Sequence, residues 1–172
     1  MELITKNPRR TFSIFLLASI SMIGVALFME YFLQLNPCIL CYMQRGAVIM
    51  VGIISALGLL INPKTLQTYK LIISSIFLSA IVGASLSIRQ LYLQSLPADL
   101  VPSCAPDIDY LFSTLPFLEV LILAFTGDGN CAEVLWTFLG ISIPGWVLIA
   151  LTFIVLYCLI LFKNANEIHS HK

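Results

Sequence analysis

The sequence predicts an all-α integral membrane protein, a four-transmembrane-helix bundle with a short outer loop and a long outer loop containing a short interfacial helix. Three observations carry that expectation. Of the 172 residues, 59% are hydrophobic and 10% charged, a balance foreign to soluble domains. Four apolar runs approach or exceed the roughly 20 residues that cross a hydrocarbon core of about 30 Å. Charges of opposite sign are sorted into alternating connections, although the formal net charge is zero.

The first span is expected over about 11–35, because Thr11 to Met29 carries no charge and the run continues through Phe32 and Leu33. A cleaved signal peptide would have a shorter apolar core and a small-residue exit, so this segment is read as a retained helix. Glu30, near its outer end, is read as a carboxylate reaching interfacial water. The second span is expected over about 41–61 and ends at Asn62-Pro63, where proline cannot continue a helix. The third, about 70–93, carries Ser74, Ser75, Ser79, Ala80, Gly83, Ala84, Ser85 and Ser87, a thin side that lets neighbouring backbones approach. The fourth, about 144–162, opens at Pro144 and stops at Lys163, leaving Asn164 to Lys172 as a frayed tail.

Outer loops are expected at about 36–40 and 95–143, all within a single membrane domain over 1–172. Lys6, Arg9, Arg10, Lys64, Lys70, Lys163 and Lys172 flank the other connections, which the positive-inside rule assigns to the cytoplasm together with both termini. Between Leu96 and Ile143 there are six acids and no Lys or Arg, so that segment is expected outside. Its run from Leu115 to Phe125 is too short to cross and too apolar to float free, and reads as the interfacial helix. Trp136 and Trp146 stand where an aromatic belt belongs. No basic cluster suggests nucleic acid, and no Gly-rich loop suggests phosphate binding.

Chemistry concentrates in cysteine. Asn36-Pro37 ends one helix and presets the next, so Cys38 and Cys41 fall in or just before a first helical turn. The positive end of a helix favours thiolate over thiol there, and Arg45, four residues beyond Cys41 on the same face, adds a cation. Cys104 lies among prolines that hold it extended for a partner, and the turn Gly127-Asp128-Gly129-Asn130 delivers Cys131 to the surface. Cys158, inside the last apolar run, reads as a small buried hydrophobe.

Three readings compete for the four outer cysteines. Zinc wants two closely spaced pairs, whereas 26 residues separate Cys104 from Cys131, so no metal site is assigned. Structural disulfides in a membrane scaffold would explain the distant pair, but a bridge between Cys38 and Cys41 closes almost no loop. Redox exchange between the pairs explains both. The electrons then need an acceptor, and with no dinucleotide fingerprint or haem motif a quinone in the bilayer is the fitting one, met by Cys41 and Arg45.

Pro37-Cys38-Ile39-Leu40-Cys41-Tyr42-Met43-Gln44-Arg45, Gly127-Asp128-Gly129-Asn130-Cys131-Ala132-Glu133 and the run from Trp136 to Trp146 resemble the DsbB family of disulfide bond formation proteins. The resemblance implies a bacterial inner-membrane thiol:quinone oxidoreductase whose cysteine loops face the periplasm. It implies that a DsbA-like periplasmic thiol oxidase attacks Cys104, that Cys131 then bonds transiently to Cys38, and that Cys41, partnered by Arg45, faces ubiquinone or menaquinone. Two positions depart from the usual pattern: Gln90 stands where many members have His, and Gln44 replaces an acid.

Overall fold

The computed structural model describes residues 8–97, 100, 101, 116, 119, 122 and 129–170, with side chains described as far as 165. Four long helices dominate: α1 (Pro8–Tyr31), α2 (Ile39–Ile61), α3 (Leu66–Gln94) and α4 (Ile143–Ser170). Each contains a window apolar and long enough to cross a membrane. A single 3₁₀ turn, Gly129–Cys131, and a two-stranded hairpin, β1 (Thr137–Phe138) and β2 (Ile141–Ser142), precede α4. Cys104 and most of the expected interfacial helix lie outside the described residues.

Each helix packs on the next in the chain, α1 on α2, α2 on α3, α3 on α4. At the end holding the α2–α3 link, Phe12 of α1 meets Tyr69 of α3 with ring centroids 6.0 Å apart. Phe15 of α1 meets Tyr157 of α4 at 5.4 Å, and Phe77 of α3 meets Phe162 of α4 edge-on at 6.1 Å. These contacts gather Arg9, Arg10, Lys64, Lys70 and Lys163 near one end of the bundle and leave Cys38 and Cys41 at the other. Cys158 is fully buried in the core, as a small hydrophobe would be.

The helix bounds differ from the expected ones for local reasons. α1 stops at Tyr31, not near 35, because Gln34 takes a left-handed φ of 55° and its side-chain amide donates to the Tyr31 carbonyl at 2.8 Å. An otherwise orphan C-terminal carbonyl is thereby satisfied. α3 starts at Leu66, not 70, because Thr65 is an N-cap whose hydroxyl accepts from the Thr68 N–H at 3.4 Å. α4 continues past Lys163 to Ser170, since no Pro or Gly interrupts it and Ala165 is still buried against the bundle.

Close approach rests on fewer small residues than the composition of α3 suggests. Ala80, Gly83 and Ser87, three to four residues apart, are buried, whereas Ser74 and Ser85 are exposed. A Cβ at Gly83 would stand 2.8 Å from Leu151 of α4 and 3.0 Å from Ala47 of α2, so three helices converge there. On α2, Gly52 leaves room for Ser19 of α1, whose hydroxyl donates to the Val48 carbonyl at 2.6 Å.

The hairpin was not expected from the sequence. Its turn is Leu139-Gly140, with φ of 53° and 76°, the left-handed pair that a two-residue primed turn requires. Thr137 pairs with Ser142 and Phe138 with Ile141. Phe138 stacks on Trp136, ring centroids 5.9 Å apart, and its carbonyl accepts from the Trp146 indole N–H at 3.2 Å.

Candidate redox site

Between α1 and α2 the chain turns at Phe32–Gln34 and continues through Pro37 to Cys38, the extended N-cap residue of α2. Cys41 follows within the first turn, so the two sulfurs face the same way, 3.5 Å apart. Both are thiols here, as are Cys131 and Cys158.

Cys131 is not at the surface, contrary to the sequence reading. Its 3₁₀ turn tucks it, fully buried, into a cluster with Cys38, Ile39, Leu40, Leu86 and Leu93 over the tops of α2 and α3. Gly129 and Asn130 do form a tight turn with Cys131, but the apolar ledge under it comes from two distant helices. Cys131 and Cys38 are hydrogen-bonded there.

That contact reverses an expectation for Cys38. A helix N-terminus favours thiolate, yet the Cys38 thiol is pushed well above its ordinary value, first by the hydrogen bond with Cys131, then by that with Cys41, then by burial. The helix end acts on a sulfur already surrounded by other sulfurs and apolar side chains. Cys38 is the inner member of the pair, and Cys41 is the sulfur that lines the neighbouring cavity.

This cavity, about 80 Å³ and open on one side, lies between α1, α2 and the start of α4. Met22, Ile23, Val48 and Val147 make its walls apolar, and Cys41, Gln44 and Arg45 form its polar end. Arg45 is fixed across α1 and α2: one guanidinium nitrogen is ion-paired with Glu30 and the other donates to the Ala26 carbonyl at 3.2 Å. The guanidinium also lies over the Tyr42 ring at 5.4 Å, and the Tyr42 hydroxyl donates to Glu30 at 3.3 Å. Glu30 is thus an anchor for Arg45 rather than a carboxylate turned to water. The charge of opposite sign on the next helix was the available signal, but the turn at Gln34 that sets their register was not legible.

Two glutamines complete the site. Gln90 of α3 reaches both sulfurs, with Nε2 at 3.4 Å from Cys38 and 3.3 Å from Cys41, and Gln44 of α2 donates to its Oε1 at 2.7 Å. Among the described residues no group of three or more His, Cys, Asp and Glu could hold a metal ion.

A four-span helical protein that holds three thiols together beside an apolar cleft belongs to the class of membrane oxidoreductases that exchange disulfides. The chain belongs to the DsbB family: residues 8–161 match the family described as "Disulfide bond formation protein DsbB". It is 46% identical over 134 residues to "Disulfide bond formation protein B" of Hahella chejuensis, covering 78% of this chain and 81% of that one. Its identity to the protein of the same name from Saccharophagus degradans is 44% over 151 residues, 86% and 89% of the two chains. With the Stutzerimonas stutzeri protein it is 41% over 154 residues, 89% and 93%. The scaffold and zinc alternatives are not favoured by these relatives, and the protein is a disulfide-generating oxidoreductase of the membrane.

Proposed function

We propose that this protein reoxidises a DsbA-like periplasmic thiol oxidase and passes the electrons to a membrane quinone. The observation that carries the reading is the Cys38–Cys41 pair, 3.5 Å apart, with Cys41 and Arg45 at the polar end of an apolar cavity. The basic residues near the opposite end support an orientation with the cysteines on the periplasmic side of a bacterial inner membrane and both termini in the cytoplasm.

In the proposed relay a thiolate of the reduced partner attacks Cys104 of a Cys104–Cys131 disulfide, forming a mixed disulfide and releasing Cys131. The Cys131 thiolate attacks Cys38, the Cys131–Cys38 bond forms, the Cys38–Cys41 bond breaks, and Cys41 leaves with the electron pair. Burial of Cys131 against Cys38 makes that attack a local event. The partner's second thiolate then displaces Cys104, and Cys104 recaptures Cys131 and frees Cys38. Cys38 and Cys41 are left as the dithiol. Re-forming their bond releases two electrons and two protons into the cavity.

The cavity residues fit a quinone. Met22, Ile23, Val48 and Val147 would hold an apolar ring, and Arg45 would hold a ring oxygen. Ubiquinone or menaquinone supplies, when bound, an acceptor for two electrons and two protons. Arg45, held by Glu30 and Ala26, keeps a donor and a positive charge beside Cys41 without reorganising during the reaction.

The test is quinone reduction by purified protein given a reduced thioredoxin-like partner. Cys41→Ser is expected to abolish it, because no second sulfur remains to re-form the bond. Quinone reduction at the unsubstituted rate in that variant would defeat the reading.

A further inference from the structure

Gln44 and Gln90 come from different helices, are each only 3% exposed, and meet inside a protein whose other buried neighbours here are chiefly apolar. A buried amide is costly unless each of its polar atoms finds a partner. Gln44 Nε2 donates to Gln90 Oε1 at 2.7 Å, and that bond leaves the Gln90 NH₂ turned to Cys38 and Cys41 at 3.4 and 3.3 Å. The Cys41 thiol also lies 3.6 Å from Gln90 Oε1, so the same amide can accept from the thiol and donate to the thiolate. The Cys38–Cys41 bond is the one that opens in the proposed relay, and negative charge appears on its sulfurs each time.

We propose that Gln90 is a catalytic residue that stabilises the sulfur anion released when the Cys38–Cys41 bond is attacked, and that Gln44 is the positioning residue that aims its amide. As Cys131 bonds to Cys38 and the Cys38–Cys41 bond breaks, the electron pair goes to Cys41, and the Gln90 N–H bond to that sulfur strengthens as the charge develops. The arrangement is the sulfur counterpart of an oxyanion hole, prepaid by a fixed amide from a facing helix. This inference rests on reading Cys38 and Cys41 as the redox pair.

The charged and titratable groups that face the pair among the described residues are Cys131 from the 3₁₀ turn and Arg45 of α2, with Glu30 of α1 behind it. From α3 the side chain that touches the sulfurs is the neutral Gln90. Its contribution does not titrate.

The experiment uses the full-length, fully reduced protein in detergent, without quinone or partner. Iodoacetamide labelling is followed by mass spectrometry on the peptide carrying Cys38 and Cys41, as a function of pH. Gln90→Met keeps volume and removes both donors. A hydrogen bond to a charged group contributes about 1.5–3 kcal/mol, so labelling at pH 7 is expected to slow about tenfold or more. The rate should return to that of the unsubstituted protein at alkaline pH, where the thiolate forms without help. Gln44→Met, which removes the donor that holds Gln90 Oε1 and frees the amide to turn, adds no charge, is expected to shift the profile in the same direction by a smaller factor, and serves if Gln90→Met does not fold. Unchanged labelling at pH 7 in both variants would overturn the proposal, and so would a slowing equal at every pH, which signals altered access. Because no acceptor is present, this result is independent of the Cys41→Ser test of quinone reduction.

Discussion

Arg45 illustrates how much one residue depends on another. Its guanidinium is placed by Glu30 on the preceding helix, by the Ala26 carbonyl and by the Tyr42 ring, so its position beside Cys41 is a property of the α1–α2 contact. Both partners of the ion pair are partly exposed, at 18%, which reduces what the pair contributes. Glu30→Gln is therefore expected to leave the fold intact and to raise the KM for a soluble quinone analogue by about three- to tenfold, with a smaller change in kcat. Steady-state kinetics checks this, and an unchanged KM would show that Arg45 does not need Glu30. The cysteine spacing, the cation one turn on and the helix start after Pro37 were all legible in sequence, because they are local. Burial of Cys131 and the reach of Gln90 to both sulfurs were not, because they depend on how α3 and the 3₁₀ turn settle over α2.

At the scale of elements, the apolar runs located four spans, and two of the misplaced ends were decided by single caps. Thr65 starts α3 by accepting from Thr68, and Gln34 ends α1 by donating to Tyr31, signals that hydropathy does not contain. The Leu139-Gly140 turn was missed because a leucine is an uncommon first residue for a left-handed pair. Packing between elements depends on Gly83, where α2, α3 and α4 converge. Gly83→Val is expected to destabilise the bundle by about 1–3 kcal/mol through overpacking. Gly46→Ala, at an exposed α2 position whose added Cβ meets nothing within 4 Å, should be neutral or stabilising by up to about 1 kcal/mol. Thermal loss of helical circular dichroism in detergent separates the two, and equal midpoints would contradict this account of the packing.

For the whole molecule, the four helices do two different jobs. Near the basic end, aromatic contacts such as Phe12 with Tyr69 and Phe15 with Tyr157 hold the bundle together. At the cysteine end an apolar cleft lies between α1, α2 and α4, with Cys41 in its lining and Cys131 packed in one cluster with Cys38. In the proposed relay electrons enter from the loop and leave toward the lipid, with the Cys38–Cys41 pair between them. Cys38 and Cys131 must then be able to bond without rearrangement of the helices. The most direct measurement is disulfide mapping by mass spectrometry in the Cys41→Ser, Cys104→Ser double variant after mild oxidation. Near-complete Cys38–Cys131 linkage within one chain is the expected result, whereas two unlinked thiols, or linkage only between chains, would contradict the route.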